Sequence, residues 1–240
     1  MRIAIDTLFV NAADVERVGA GVKDHLGLAP FLSFELIVRD GAPVPIIIFQ
    51  LDGGALEILG RAEGPRPASG VISCVEMEAP ISGRVEIELA PNAPLVCHPG
   101  PKPRFRAVHV ETHRSEEEAR LLGATAQDGH LWLGDVELRL NEHPGADTVP
   151  TPHFPGWHRL SSNVKDLGRA NHDLLASGFQ VLVPPFRVLP GLDEAMLHTP
   201  SGLIVQITRE RLWRMLPAIA REWLTARLAH RPMRFTETDS

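Results

Sequence analysis

The chain has no tyrosine, only two cysteines (Cys74 and Cys97) and an aromatic content of 5%. Two thiols cannot build a disulfide framework or a cysteine-rich metal cluster. Without a phenol, no step can use tyrosine as its acid. No uncharged apolar run is long enough to span a bilayer, and Asp6 interrupts the opening MRIAIDTLFV where a secretory signal needs uncharged residues. Positive charge is also short. Thirty acidic against 24 basic residues give a net charge of -6, which removes the concentrated basic surface that a principal nucleic-acid partner requires. These absences leave a soluble, cytoplasmic protein with no nucleic-acid or membrane partner. Its 240 residues suffice for one large domain or two small ones.

What is present is a recurring order of local signals. In RLSSNVKDLGRANHDLLASGF (159–179), alternation over 159–164 predicts a strand with Arg159, Ser161 and Asn163 on one face. Asp166 follows as a helix N-cap, Leu167, Ala170 and Leu174 fall at helical spacing, and Gly178 stands where a left-handed stop is wanted. Three strand-like runs come next, ending in LIVQI (203–207), so the unit reads βαβββ. The first 59 residues give the same order, with a cap at Asp14 and a last strand ALEIL (55–59). A shortened third copy begins at AVHVETHRSEEEARLLGA, where Ser115 and Glu118 form a capping-box pattern. Residues 69–98 alternate like strands without a helix. They read as a degenerate second unit or an insertion. Pro-rich joints lie near residue 100 and over 143–157. The arginine-rich segment after residue 209 reads as an amphipathic helix through Leu212, Leu216, Ile219, Trp223 and Leu228, packed on the protein or on a second copy of the chain in preference to contacting a membrane.

A repeated βαβββ unit carrying NVKDL, SGF and HTPSGLIVQI resembles the vicinal oxygen chelate superfamily, which includes glyoxalases, type I extradiol dioxygenases, and fosfomycin and bleomycin resistance proteins. The match is fullest over 159–208, fair over 5–59 and partial over 107–140. The resemblance implies an α+β fold of paired, curled mixed sheets, here with an added C-terminal helix. The expected domains are residues 1–100, with a degenerate second unit, and 101–209, with a helix and tail over 210–240. It also implies a cleft that can hold a divalent metal, with ligands at the start of the first strand and on the last strand of each unit.

Those first-strand positions fall on Thr7, His109 and Arg159, and the last-strand positions on Glu57, Glu137 and Gln206. The separation from Thr7 to Glu57 is 50 residues and from Arg159 to Gln206 is 47, so two copies agree. Arg159 departs from the pattern, because a guanidinium stays protonated and only donates. A one-residue strand slip would bring His158 into the cleft in its place. The cofactor is accordingly none or one divalent metal, with His109, Glu137 and His158 as the candidate ligands and Glu57 as a substitute third. His143, His153 and His158 in the Pro-rich joint otherwise read as exposed loop residues.

Two functions stay open, with the cleft between the third and fourth units as the leading site. One is a metal-free small-molecule-binding or resistance-type protein, with Arg159, Ser161, Asn163 and Gln206 around an organic, anionic ligand. The other is a metal-dependent lyase, isomerase or ring-cleaving dioxygenase. An internal Arg159–Glu137 ion pair and a purely structural role are the plainer alternatives, and a homodimer is compatible with either function.

Overall fold

A computed structural model describes residues 3–37, 42–67, 69–236 and 238–239. The chain begins with β1 (Thr7–Asn11), α1 (Val15–Leu26), β2 (Leu32–Ile37), β3 (Val44–Leu51) and β4 (Gly54–Leu59). Three strands without a helix follow: β5 (Val71–Ala79), β6 (Val85–Glu88) and β7 (Pro94–Pro99). The third run is β8 (Arg104–Thr112), α2 (Ser115–Leu122), β9 (Thr125–Gln127), β10 (His130–Leu133) and β11 (Val136–Glu142). The fourth repeats the order of the first, as β12 (Gly156–Asn163), α3 (Leu167–Ser177), β13 (Gln180–Leu189), β14 (Leu192–His198) and β15 (Ile204–Glu210). The C-terminal part is α4 (Leu212–Leu228), β16 (Arg234–Thr236) and β17 (Thr238–Asp239).

The local chemistry explains the helices. Asp14 and Asp166 accept from the backbone N–H groups of Arg17 and Arg169, so each satisfies a donor that the first turn leaves free. Gly27 and Gly178 close α1 and α3 in the left-handed region, at φ 67° and 114°. The capping box expected at Ser115 does not form. Arg114 is the N-cap, and Glu118 turns inward to accept a hydrogen bond from Ser201 at 2.5 Å.

The strands form two mixed sheets, one of ten strands in the order β16-β2-β3-β4-β1-β12-β15-β14-β13-β17 and one of seven in the order β6-β7-β5-β8-β11-β10-β9. Both share a plan. Two first strands meet antiparallel (β1 with β12, β5 with β8), and each is flanked by its own last strand in parallel (β4 and β15, β7 and β11). Residues 71–99 therefore occupy the place of a unit whose helix is missing. Strand pairing crosses the boundary expected at residue 100. The first unit joins the fourth, and the second joins the third. Neighbours in sequence pair only about two times in three; the chain crosses between the sheets in the segments between β4 and β5 and between β11 and β12, while the Pro-rich joint near residue 100 links β7 to β8 within one sheet.

One large apolar core lies between the sheets and takes in α1, α2 and α3. It draws Leu8, Leu56, Trp157 and Val205 from the ten-stranded sheet and Val75, Val108 and Leu138 from the seven-stranded one. A second cluster occupies the opposite face of the ten-stranded sheet, where Phe34 and Val44 from the first unit meet Val188 and Leu189 from the fourth. The curled sheet thus brings its two ends together over a common interior. β16 pairs with β2, β17 pairs with β13, and Phe235 packs edge-on against Phe34 with ring centroids 5.2 Å apart. The C-terminal segment in this way touches both edges of the curl.

Candidate functional site

Inside the curl is a cavity of about 420 Å³. Its walls are apolar, built from Phe34, Val44, Ile46 and Ile48 on one side and Val183, Phe186, Val188 and Leu192 on the other. Its floor is the row of central strands and carries the polar groups Glu57, Arg159 and Glu194. Register explains their convergence. Glu57 on β4 lies beside Phe9 on β1, and Phe9 lies opposite Arg159 on β12.

The β1–β12 ladder contains a bulge that settles the orientation of the two residues at issue. Phe9 pairs with Arg159 and Val10 with Trp157, which leaves His158 with no partner across the ladder. Trp157 and Leu160, three residues apart, consequently both enter the central core. His158 and Arg159 both turn to the Phe9 side. The alternative of a slip does not arise, because the extra residue is absorbed in one place. Arg159 lines the cavity, while His158, 2% exposed, sits behind it with its ring edge-on to Phe9 and Phe154. Neither ring nitrogen of His158 has a hydrogen-bond partner among the described residues. Burial first, then the charge of Arg159 and the nearby His153, holds its pKa well below the ordinary histidine value.

Arg159 is 6% exposed and incompletely satisfied. Its guanidinium lies 4.0 Å over the Phe9 ring, Nη1 donates to the sulfur of Met196 at 3.3 Å, and Nε has no partner among the described residues. A thioether is a weak acceptor. Burial lowers the Arg159 pKa, while Glu194 and Glu57 oppose that shift. On the acidic side, burial pushes Glu57 from 4.5 to about 8; Glu194 adds to the shift and Arg159 works against it. At neutral pH Glu57 is mostly protonated, and so can donate a hydrogen bond into the cavity.

At the cavity's rim, Asn11 fixes the Pro-rich joint by donating to the carbonyl of Phe154 at 2.9 Å, and His153 joins the lining beside Arg61. Burial and the charges of Arg61 and Arg159 lower the His153 pKa to about 4. Of the three joint histidines expected to be exposed, only His143 is; His153 and His158 are held by the fold.

The remaining expected residues separate. Ser161 and Gln206 are buried below the cavity without lining it, in a network on Thr208: the Ser161 hydroxyl is 3.0 Å from the Thr208 hydroxyl, and Gln206 Nε2 donates to it at 3.3 Å. Asn163 is exposed at the strand end, where its backbone N–H donates to Asp6. His109 and Glu137 lie on the other sheet, on the face turned away from the central core. His109 Nε2 is 2.9 Å from Glu76, and His130 Nδ1 is 2.7 Å from Glu137. Arg139 bridges the two carboxylates, donating at 2.5 Å to Glu76 and 2.7 Å to Glu137. Glu137 is thus paired with Arg139 rather than Arg159, and the hydrogen bond from Arg139 is the main reason its pKa falls to about 2.

This distribution tests a divalent metal on the donor chemistry. On the ten-stranded sheet the positions where the resemblance puts ligands hold Thr7, Glu57, Arg159 and Gln206, of which Glu57 alone is a good ligand and one is a fixed cation. On the seven-stranded sheet a guanidinium already bridges the two carboxylates and lies 3.3 Å from His109 Nε2. Among the described residues no three His, Cys, Asp or Glu side chains converge as a metal site, and the candidate set His109, Glu137 and His158 is divided between the two sheets. The residues do not fit the metal.

Taken together, the two mixed sheets and the cavity inside the curl of the larger one give a glyoxalase-like fold. Glyoxalase I from Zea mays matches with a TM-score of 0.62 at 12% identity, over 91% of this chain and 96% of that one. Its V278E mutant gives 0.64 at 12% identity, over 90% and 95%. A protein of Bacillus subtilis subsp. subtilis str. 168 proposed to be a dioxygenase gives 0.62 at 12% identity, over 87% and 86%. No family model and no curated protein matches the sequence. At this identity the likeness speaks for the fold.

Sequence reading missed Phe9, His153 and Glu194. Phe9 shares a strand face with Thr7, so the inspected position was two residues short of the cavity. Glu57 and Glu194 had a common signal, a single acid turned to the same side as apolar neighbours in ALEIL and DEAML. His153 carried none, because a joint rich in proline gives no periodicity from which to infer burial.

Proposed function

We propose that the protein binds a small amphipathic organic anion in the cavity of the ten-stranded sheet, without a resident metal. Arg159 holds the acidic group and the apolar walls hold the rest. The observation that carries this reading is a buried guanidinium with an unmatched Nε facing a mostly apolar cavity. Buried donors left unpaired cost about 1–3 kcal/mol, and a carboxylate or similar oxyanion supplies the missing acceptors in fork geometry. Glu57, protonated near neutral pH, donates to such a group instead of repelling it. The cavity volume suits a ligand of drug-like size.

Thermal-shift and calorimetric titration with a panel of aryl and alkyl carboxylates tests the reading. The expected result is stabilisation by a subset of the panel that Arg159→Gln abolishes. Stabilisation by a divalent ion instead, with no response to any carboxylate, would overturn it.

A second reading is favoured by Glu57 alone. A carboxyl titrating at about 8 inside a cavity is matched to proton transfer near neutral pH. If it exchanges a proton with carbon next to a bound carbonyl, ligands of that kind will take up deuterium from D2O in the presence of the protein and not of Glu57→Gln.

A further inference from the structure

Helix α4 presents an apolar face to solvent. Leu212, Leu216 and Trp223 recur at helical spacing with Trp213, Leu224 and Leu228 on adjoining rows, and all six are exposed, Trp213 to 69% and Leu228 to 74%. Only the other side packs on the protein, through Met215 and Ile219 against the cluster around the cavity and through buried Ala226. The sequence pattern led to the opposite expectation for Leu212, Leu216, Trp223 and Leu228, because a helix with apolar residues on nearly every row does not reveal which row faces inward.

The charge around this face has one sign. Between residues 211 and 231 there are five arginines and one glutamate, in a chain whose net charge is -6. The glutamate, Glu222, is engaged by Arg231 at 2.7 Å and by the Arg234 N–H at 2.8 Å. Arg214 and Arg227 lie over the rings of Trp213 and Trp223, at 4.5 and 5.2 Å from the centroids. The same face of a second copy would oppose arginine with arginine, which disfavours self-association through α4.

We propose that α4 docks on an anionic phospholipid surface, its leucines and tryptophans entering the headgroup boundary and its arginines contacting lipid phosphates. A helix lying in the interface needs an apolar face, tryptophan at headgroup depth and basic residues beside it, and α4 has all three. The expectation of no membrane partner rested on the lack of a spanning segment and on preferring packing to membrane contact as the role of this helix. No described helix is long and apolar enough to cross, but a helix lying in the plane of the surface does not need to be. Because α4 packs on the cluster around the cavity, docking would set that cavity beside the lipid. The inference is independent of which ligand the cavity takes.

The test uses the full chain with vesicles of phosphatidylcholine, with and without phosphatidylglycerol, followed by co-sedimentation and tryptophan emission. The expected result is a blue shift and sedimentation with the anionic vesicles only, reversed by salt. Arg214→Gln or Arg221→Gln should each weaken partitioning about fivefold. The double variant Trp213→Glu/Trp223→Glu should abolish it without changing the melting temperature. Three results would overturn the proposal: no association with anionic vesicles, equal association with neutral ones, or a dimer in solution that the double variant converts to monomer, which would make a second copy the occupant.

Discussion

The two sheets use the same strand plan and fill the face away from the shared core in opposite ways. On the seven-stranded sheet, His130, Glu137, Arg139, Glu76 and His109 are joined in one hydrogen-bonded chain, with His98 3.2 Å from Glu76 at its edge and without a well-formed hydrogen bond among the described residues. On the ten-stranded sheet, the walls are apolar and the buried Arg159 has an Nε without a partner among the described residues. Where polar groups are matched internally, a ligand has nothing to add. Where a guanidinium is buried against an aromatic ring and a thioether, the fold has left acceptors for something else to provide. The strand plan is common to both sheets, and function is decided by whether its polar groups are already satisfied.

Removing the central cation of each sheet should separate the two most strongly. Arg139→Gln leaves Glu76 and Glu137 close together without their bridge and is expected to cost about 2–3 kcal/mol in urea denaturation. Arg159→Gln, in the absence of ligand, should cost no more than about 1 kcal/mol, because its burial is poorly compensated already. Equal losses would erase the distinction.

The carboxyls of the two sheets should respond to pH in opposite directions. Glu57 titrates higher in the folded chain than in the unfolded one, so its stabilising contribution is complete below about 4.5 and disappears as pH rises through about 8. Glu57→Gln should therefore gain about 4 kcal/mol over wild type between pH 5 and pH 9. Glu137 is shifted the other way, and its contribution, present above 4.5, is lost as pH falls toward about 2. Denaturation of Glu57→Gln from pH 5 to pH 9, and of Glu137→Gln from pH 5 down to pH 2, reads both signs.

The smallest expected effect concerns His158. Its buried ring nitrogens make no well-formed hydrogen bond among the described residues, so a shape-similar apolar residue removes a desolvation cost. His158→Leu should stabilise by about 1 kcal/mol at pH 7, and by more at pH 5, where the unfolded chain gains a proton that the folded one resists. A loss of stability at both pH values would mean that the ring has a role in packing beyond its polarity.

Much of this architecture could be read from the sequence, for identifiable reasons. Asp14, Asp166 and Gly178 punctuate helices through local chemistry, and the spacing from first to last strand located Glu57 and Arg159 on the correct strands. The pairing of units could not be read, because it depends on ladders between residues about 150 apart and not on any local pattern. The orientation of His158 and Arg159 turned on a single bulge, and strict alternation, the only available rule, assumes that none exists. Ser161 and Gln206 were placed on the correct face, but which stretch of that face stays open depends on the bulk of Phe9, Phe186 and their neighbours.

The most direct test of the account is calorimetric titration of an apolar carboxylate found in the panel into wild type, Arg159→Gln and His109→Gln. The account predicts binding to wild type and His109→Gln with equal affinity, lost in Arg159→Gln, and weakened above pH 8 as Glu57 ionises. Binding that survives Arg159→Gln, or that His109→Gln removes, would contradict it and move the site to the other sheet.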